Sequence, residues 1–310
     1  MPGPTLVTGA GGFVGGHLLE LLAADEVELV AWHRPGAAPP IDLPASKWEP
    51  VDLLDRTAVR AAIARLRPAR VYHCAGAAHV GRSWGAVEPT FAINVRGTHH
   101  LVEGLREAGG GARVLIPGSA MVYAPSSEHI REDHPTIPDS PYGLSKLAQE
   151  LVGSGNHGGP AVFIARAFNH LGPRQDPAFA ASGFARRIAD IEAGRCSPEI
   201  AVGNLEPRRD FTDVRDTVRA YRLIVEHGTA GRAYNVCTGR AVSIRNLLDM
   251  LLTRARVPIQ VTVDPARYRP ADLPLLVGTP DRIQRELGWT ADIPLERTLE
   301  DLLAFWRREP

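Results

Sequence analysis

Short apolar runs alternate with stretches of helical spacing through the first 165 residues of the chain. Thr5–Thr8 is an apolar run that stops at glycine, which reads as a buried strand, and residues 16–22 place apolar positions at helical spacing. Val27–Ala31 predicts a second strand, running into Trp32, His33 and Arg34. A third strand is expected at 48–53, ending near Asp52, ahead of a helix at 55–66. Arg70–Ala75 predicts the fourth strand, 88–107 a long helix, Arg113–Ile116 the fifth strand and Ala161–Ala165 the sixth. Between the last two, Ser140–Lys146 opens a helix, with Pro141 in the first turn where its missing N–H is not needed. Strands alternating with helices predict an α/β fold with a doubly wound parallel sheet.

Beyond residue 165 the pattern becomes mixed. Helices are expected at 178–194, 214–227, 243–255, 280–286 and 295–308, with short strands at 199–203, 233–236 and 259–263. The expected division is a dinucleotide-binding domain over 1–168 plus about 212–240. A smaller substrate domain takes about 169–211 and 241–310. No internal repeat or low-complexity linker is found.

Composition narrows the function classes. Thirty-five basic residues balance thirty-five acidic ones, so charge gives no reason to expect nucleic acid or an anionic membrane as partner. Three widely spaced cysteines, Cys74, Cys196 and Cys237, form neither a disulfide framework nor a metal-ligand cluster, and no metal is expected. With no signal pattern at the start and no run of ~20 apolar residues, the expectation is a soluble cytoplasmic protein.

Gly9, Gly12 and Gly15 follow the first strand with G-x-x-G-x-x-G spacing. The first suits a tight turn, the second a close backbone approach to a pyrophosphate, and the third helix–sheet packing. The following helix N-terminus offers N–H groups to the anion. At the end of the second strand, the acid that would bind a ribose is missing and Arg34 stands nearby, which favours NADP(H) over NAD(H). Asp52 is expected to contact the adenine amine, to cap the helix at 55–66, or to do both. Gly76–Ala78 are small enough to let a backbone lie along a nicotinamide ribose, and Asn94 is a polar residue on an apolar face that needs a partner if buried. His79 and Ser83 fall in an expected loop, where a lone histidine is more often structural than catalytic. Ser119 follows the fifth strand. Tyr142 and Lys146, four apart, share one helix face, where an ammonium would lower the phenol pKa. Alone, that Tyr-x-x-x-Lys spacing is short and common.

The glycine turn, Ser119, the Tyr142/Lys146 pair and the mixed C-terminal region, in this order, resemble the extended short-chain dehydrogenase/reductase family of nucleotide-sugar enzymes over nearly the whole chain. The resemblance implies a Rossmann-type sheet, with Tyr142 as the catalytic tyrosine, Lys146 as the lysine on the nicotinamide ribose and Ser119 as the hydroxyl on the substrate oxygen. It implies that Gly9, Gly12, Phe13, Val14, Gly15, His33, Arg34, Asp52, Leu53, Ala75, Gly76, Ala77 and Asn94 line the cofactor, together with Tyr142 and Lys146. The segments 166–173, 202–206, 209–216, 234–239 and 264–270 look like the GDP-mannose branch, which contains 4,6-dehydratases and 4-keto-6-deoxy-mannose reductases.

Within that branch the implied substrate contacts are Asn169 near the diphosphate, Arg209 and Arg269 on phosphate oxygens and Asp272 on the nucleotide ribose. For each arginine the alternative is a surface ion pair; the motif around Arg209 favours the phosphate role, while for Arg269 the two readings are nearly even. The branch's dehydratases carry a carboxylate two residues after the Ser119 position. Met121 stands there, and it can neither take nor give the proton. The Asn-His motif also continues into Leu171, Gly172 and Pro173, as in the reductases. The implied reaction is reduction of GDP-4-keto-6-deoxy-D-mannose to GDP-D-rhamnose. Alternatives are the opposite stereochemistry, giving GDP-6-deoxy-D-talose, or a 4-epimerase. A non-catalytic dinucleotide sensor has no need of the Tyr142/Lys146 pair. A homodimer through a four-helix bundle, built from 88–107 and the Tyr142 helix, is implied by resemblance alone.

Overall fold

The computed structural model describes residues 3–25, 28–36, 46–109, 111–155, 158–268 and 273–309. In chain order the first elements are β1 (Thr5–Thr8), α1 (Phe13–Leu22), β2 (Leu29–His33), β3 (Ser46–Pro50), α2 (Arg56–Leu66) and β4 (Arg70–His73). Next come α3 (Val80–Ser83), α4 (Val87–Phe91), α5 (Gly97–Ala108), β5 (Arg113–Ser119), α6 (Pro141–Ser154) and β6 (Ala161–Ala167). The later elements are β7 (Asn169–Leu171), α7 (Ala180–Glu192), β8 (Glu199–Val202), β9 (Arg208–Asp213), α8 (Val214–His227) and β10 (Ala233–Val236). They close with β11 (Ala241–Ser243), α9 (Ile244–Leu252), β12 (Gln260–Val263), β13 (Leu275–Leu276), α10 (Asp281–Leu287) and α11 (Leu295–Arg308).

Among the described residues a seven-stranded sheet runs β10-β6-β5-β4-β1-β2-β3, with every pairing parallel. Its strands read as continuous apolar runs because helices cover both faces. Alternation shows this directly. Leu6, Val30, Val71 and Val114 share one cluster with Val59 and Ile63 of α2 and Leu101 and Leu105 of α5. Their chain neighbours Val7, Ala31, Tyr72 and Leu115 share the opposite cluster, with Leu18 and Leu22 of α1 and Val218, Tyr221 and Ile224 of α8. The strand order reverses direction between β1 and β4, which makes a crevice at their carboxyl ends. A third cluster joins α7, α9 and α11 with β8. The strand β9 pairs with β7, β11 and β13 in a smaller sheet.

The parallel sheet agrees with the sequence expectation, while several limits differ. Among the described residues β2 starts at Leu29 and includes Trp32 and His33, and β3 ends at Pro50, before Asp52. The fifth strand continues to Ser119. The single helix expected at 88–107 is α4 and α5 joined by a π-helical turn, Ala92–Arg96. That turn contains the buried Asn94, and single π-helical turns of this kind are frequent at functional sites. The strand β9 was not foreseen, because Arg208–Asp213 has no apolar run.

One buried ion pair ties α6 to β6. Arg166 donates from Nε and Nη2 to the Glu150 carboxylate at 2.8–3.2 Å, lies 4.8 Å over the Tyr123 ring, and both charged side chains are buried. Burial alone would lower the Arg166 pKa, but the hydrogen bonds and charge of Glu150 raise it overall. Removing one partner strands the other charge. Glu150→Leu should cost about 3–5 kcal/mol in urea unfolding, and Glu150→Leu combined with Arg166→Met should recover much of that loss. Additive losses in the double variant would mean that the pair is not coupled.

Candidate functional site

The turn after β1 is shaped by close backbone approach. Gly9 has φ +63°, and a Cβ there would lie 2.5 Å from the Ala75 nitrogen at the end of β4. A Cβ on Gly15 would collide with the Gly9 carbonyl, so α1 can start directly against the turn only with glycine here. Gly12 is the exposed N-cap of α1, and the first intrahelical bond, Gly16 N–H to Gly12 O, is 2.9 Å. The N–H groups of Phe13, Val14 and Gly15 precede that bond, at the helix end that favours anions. A dinucleotide pyrophosphate fits this cradle.

The loop after β4 is held by Asn94. Its Oδ1 accepts from Ala77 N–H at 2.8 Å, and its Nδ2 donates to Ala77 O at 3.2 Å and Ser145 Oγ at 2.9 Å. Ser145 Oγ donates in turn to Tyr142 O at 2.7 Å. The strut therefore links the 75–77 loop to the helix that carries Tyr142.

That helix begins with a side-chain cap, Ser140 Oγ accepting from Gly143 N–H at 3.1 Å, while Ser83 Oγ accepts from Tyr142 N–H at 3.2 Å. A Cβ on Gly143 would collide with the Met121 carbonyl, so the turn after β5 rests directly on α6. The same turn is closed by Met121 N–H donating to Ser119 Oγ at 3.2 Å. Ser119 and Tyr142 are thus positioned by main-chain contact. Burial raises the Tyr142 pKa above its ordinary value, and an interaction with the Ser119 hydroxyl pulls the other way. The net direction is opposite to the sequence expectation of a phenol lowered by Lys146. The lysine is itself buried, its ammonium is engaged by Gln149 Oε1, and burial lowers its pKa to about 8.

A family model described as GDP-mannose 4,6 dehydratase matches residues 6–302. The chain belongs to this family. A curated relative, GDP-6-deoxy-D-mannose reductase of Pseudomonas aeruginosa, is 34% identical over 97% of this chain and 96% of its own length. The structure of RMD from Pseudomonas aeruginosa complexed with NADPH superposes with TM-score 0.84 at 32% identity, covering 99% of this chain and 100% of the other. The Thermus thermophilus UDP-glucose 4-epimerase complex with NAD superposes with TM-score 0.87 at 27% identity, again covering 99% and 100%.

In this member of the GDP-mannose 4,6-dehydratase family the sequence candidates fall into three groups. Gly9, Gly12, Gly15, Ala75, Gly76, Ala77, Asn94, Ser119, Tyr142 and Lys146 gather at the carboxyl ends of β1, β4 and β5 and on α6, around the crevice. Phe13 and Val14 are half-buried, and Phe13 stacks on His170 at 6.0 Å and meets His17 edge-on at 5.6 Å. His33 Nδ1 lies 3.0 Å from Arg34 O, and Arg34 is exposed just past β2. Asp52 does not cap α2. It accepts from Leu54 N–H at 2.9 Å, and Asp55 is the cap, accepting from Ala58 N–H at 3.0 Å. Leu53 is buried, and its carbonyl lies 2.9 Å from His100 Nδ1.

Of the substrate candidates, Asn169 and Arg209 lie on the smaller sheet. Exposed Asn169 is paired in register with Phe211, two residues along β9 from Arg209. Arg209 Nη1 donates to Leu273 O at 2.6 Å and to Arg208 O at 2.9 Å. Arg269 and Asp272 lie outside the described residues. His79 is the cap of α3 rather than a loop residue, accepting from Arg82 N–H at 3.1 Å. Sequence reasoning assigned no role to Ser83, Gly143, Ser145 or Gln149. The available signal for the last two was a polar residue at a buried position of α6. Gly9→Ala should lower stability by about 2 kcal/mol, from the left-handed backbone and the contact with Ala75. Thermal unfolding measures this, and an unchanged melting temperature would contradict the described turn.

Proposed function

We propose that the protein reduces the 4-keto group of GDP-4-keto-6-deoxy-D-mannose to GDP-D-rhamnose. The observation that carries the reading is the pairing of Ser119 with Tyr142 beside Met121, two hydrogen-bond donors with no carboxylate at the position where a dehydratase needs one. The 34% identity to a GDP-6-deoxy-D-mannose reductase supports it. In this reading a nicotinamide dinucleotide bound over Gly9–Gly15 and the 75–77 loop supplies the hydride. NADP(H) is favoured over NAD(H), since exposed Arg34 follows β2 and suits a 2′-phosphate. Asp52 and Leu53 lie on the adenine side.

Ser119 and Tyr142 hydrogen-bond the keto oxygen. Tyr142 gives it a proton as charge develops, and Lys146 stabilises the phenolate that remains. A phenol whose pKa is raised by burial stays protonated at neutral pH, which suits an acid. Asn169 and Arg209 hold the diphosphate, and Arg269 and Asp272 complete the nucleotide contacts. The main sheet with about 212–240 is the cofactor domain, and about 169–211 and 241–310 form the substrate domain. The cysteines among the described residues are free thiols, which fits a reducing cytoplasm. Likeness to a UDP-glucose 4-epimerase bound to NAD keeps 4-epimerisation as the second reading, in which the same side chains act without net cofactor oxidation.

The assay supplies GDP-4-keto-6-deoxy-D-mannose with NADPH or NADH, follows cofactor absorbance and identifies the sugar by NMR. Cofactor oxidation with a D-rhamno product is expected. No oxidation removes the reductase reading, and a talo product assigns the other stereochemistry. Tyr142→Phe should lose nearly all turnover while still binding cofactor. Because charged Lys146 is needed, activity should fall as pH rises through about 8.

The homodimer belongs to the same proposal. Trp84, Val87, Leu144 and Leu151 expose an apolar face across α4 and α6, with Leu151 64% exposed. A groove of about 330 Å³ lies along it between Trp84, Phe91, Pro141 and Leu144. A second copy of this chain packing α4–α5 and α6 against the same elements covers that face. Light scattering should give twice the 33.5 kDa chain mass, and Leu144→Glu with Leu151→Glu should shift it to monomer.

A further inference from the structure

We propose that Gln149 is the positioning residue of Lys146, a neutral amide that fixes the ammonium without neutralising it. The proposal rests on the reading of Lys146 as the partner of Tyr142, and it comes from a count of donors and acceptors in a sealed network. Gln149, Thr98, Asn94 and Thr8 are fully buried, and His73 nearly so. Lys146 Nζ donates to Gln149 Oε1, and Gln149 Nε2 donates to Thr98 Oγ1 at 2.9 Å. The single Thr98 hydroxyl hydrogen goes to Asn94 O at 2.6 Å. Thr98 Oγ1 can then only accept from its remaining partner, His73 Nε2 at 2.8 Å. His73 therefore carries its proton on Nε2. Its Nδ1 accepts from Thr8 Oγ1 at 2.8 Å, and Thr8 Oγ1 accepts from Ala75 N–H at 3.3 Å.

The Thr98 hydroxyl hydrogen is committed to Asn94 O, and this fixes the amide. Turning Gln149 over would aim its NH₂ at the ammonium and its oxygen at a hydroxyl whose hydrogen is already used. A glutamate of the same length would reach Lys146 but would have no N–H for Thr98, and it would cancel the charge. The carboxylate that does stand near the lysine, Glu150, is held by Arg166 at 2.8 Å. Lys146 is thus anchored in place and keeps a positive charge for the phenolate and the ribose.

The chain has two lysines, Lys47 and Lys146, so lysine labelled with carbon-13 at Cε gives two NMR signals, assigned with Lys47→Arg. The titratable groups whose charges act on Lys146 or feel it are Glu150 on its own helix and His73 and Cys74 at the end of β4. Burial drives His73 down to about 3 and Cys74 up to about 12, so neither changes charge near pH 8. A titration of the labelled protein should place the Lys146 midpoint near 8. Gln149→Glu should raise that midpoint by about one unit or more, and Gln149→Leu should lower it. Both variants should lose roughly tenfold or more in kcat, through a neutralised or displaced ammonium. Thr98→Val should behave as Gln149→Leu does, and Thr98→Ser should restore wild-type behaviour.

Circular dichroism checks the fold. If Gln149→Glu fails to fold, Gln149→Leu and the two Thr98 variants carry the test. An unmoved midpoint in Gln149→Leu, or shifts of the same sign in both Gln149 variants, overturns the proposal. An active Tyr142→Phe would instead remove the reading it rests on, while the NMR titration stands whether or not the sugar is turned over.

Discussion

A charged lysine in the interior of this fold is expensive, and the surrounding structure is arranged to bear that cost. Moving an ammonium out of water costs several kcal/mol unless hydrogen bonds replace hydration. Burial accordingly lowers the Lys146 pKa to about 8, which leaves it charged at neutral pH by a small margin. Two arrangements hold that margin. Gln149 supplies an acceptor without a counter-charge, and the charge of nearby Glu150, itself bonded to Arg166, raises the lysine pKa against burial. Both depend on α6 lying across the ends of β4, β5 and β6.

Close main-chain contacts shape the surroundings of that lysine. Gly9 lets β1 turn against the end of β4, Gly15 lets α1 begin at that turn, and Gly143 lets the turn after β5 rest on α6. Each glycine brings two backbones closer than a Cβ would allow. The crevice at the strand-order reversal is therefore bordered by peptide groups, which suits the binding of a long polar ligand. Asn94 extends the same logic. It satisfies both Ala77 backbone groups and reaches Ser145, so the loop beside the crevice is tied to the helix with Tyr142.

Much of this was legible in the sequence, for definite reasons. Buried parallel strands are continuous apolar runs, so the strands of the main sheet could be read along the chain through residue 165. The glycine spacing reports backbone geometry directly. The strand β9 was invisible because Arg208–Asp213 is mostly charged and buries Asp210 and Asp213, and its partners β7, β11 and β13 are only two to three residues long. The direction of the Tyr142 pKa was misjudged, since spacing shows that a lysine is near and cannot show how deeply a phenol is buried. Asp52 and Asp55 are both plausible caps by composition, and only the turn geometry chooses Asp55. Thr98, His73 and Gln149 are unremarkable one at a time. They acquire meaning when three distant segments meet and each hydrogen must find an acceptor.

Met121 shows how one frame can serve different reactions. Its N–H holds the Ser119 hydroxyl, and its carbonyl lies against Gly143, so its backbone aligns the two donors. Any residue other than proline can supply that N–H and carbonyl, which leaves the side chain free of the positioning task. Here it is a half-buried thioether packed against the cluster of Ala120, Val122 and Phe168. A carboxylate in its place would bring a proton acceptor to the donors without disturbing them. Under the proposed reading, this division of labour between main chain and side chain at residue 121 lets the chemistry beside the donors change without moving Ser119 or Tyr142.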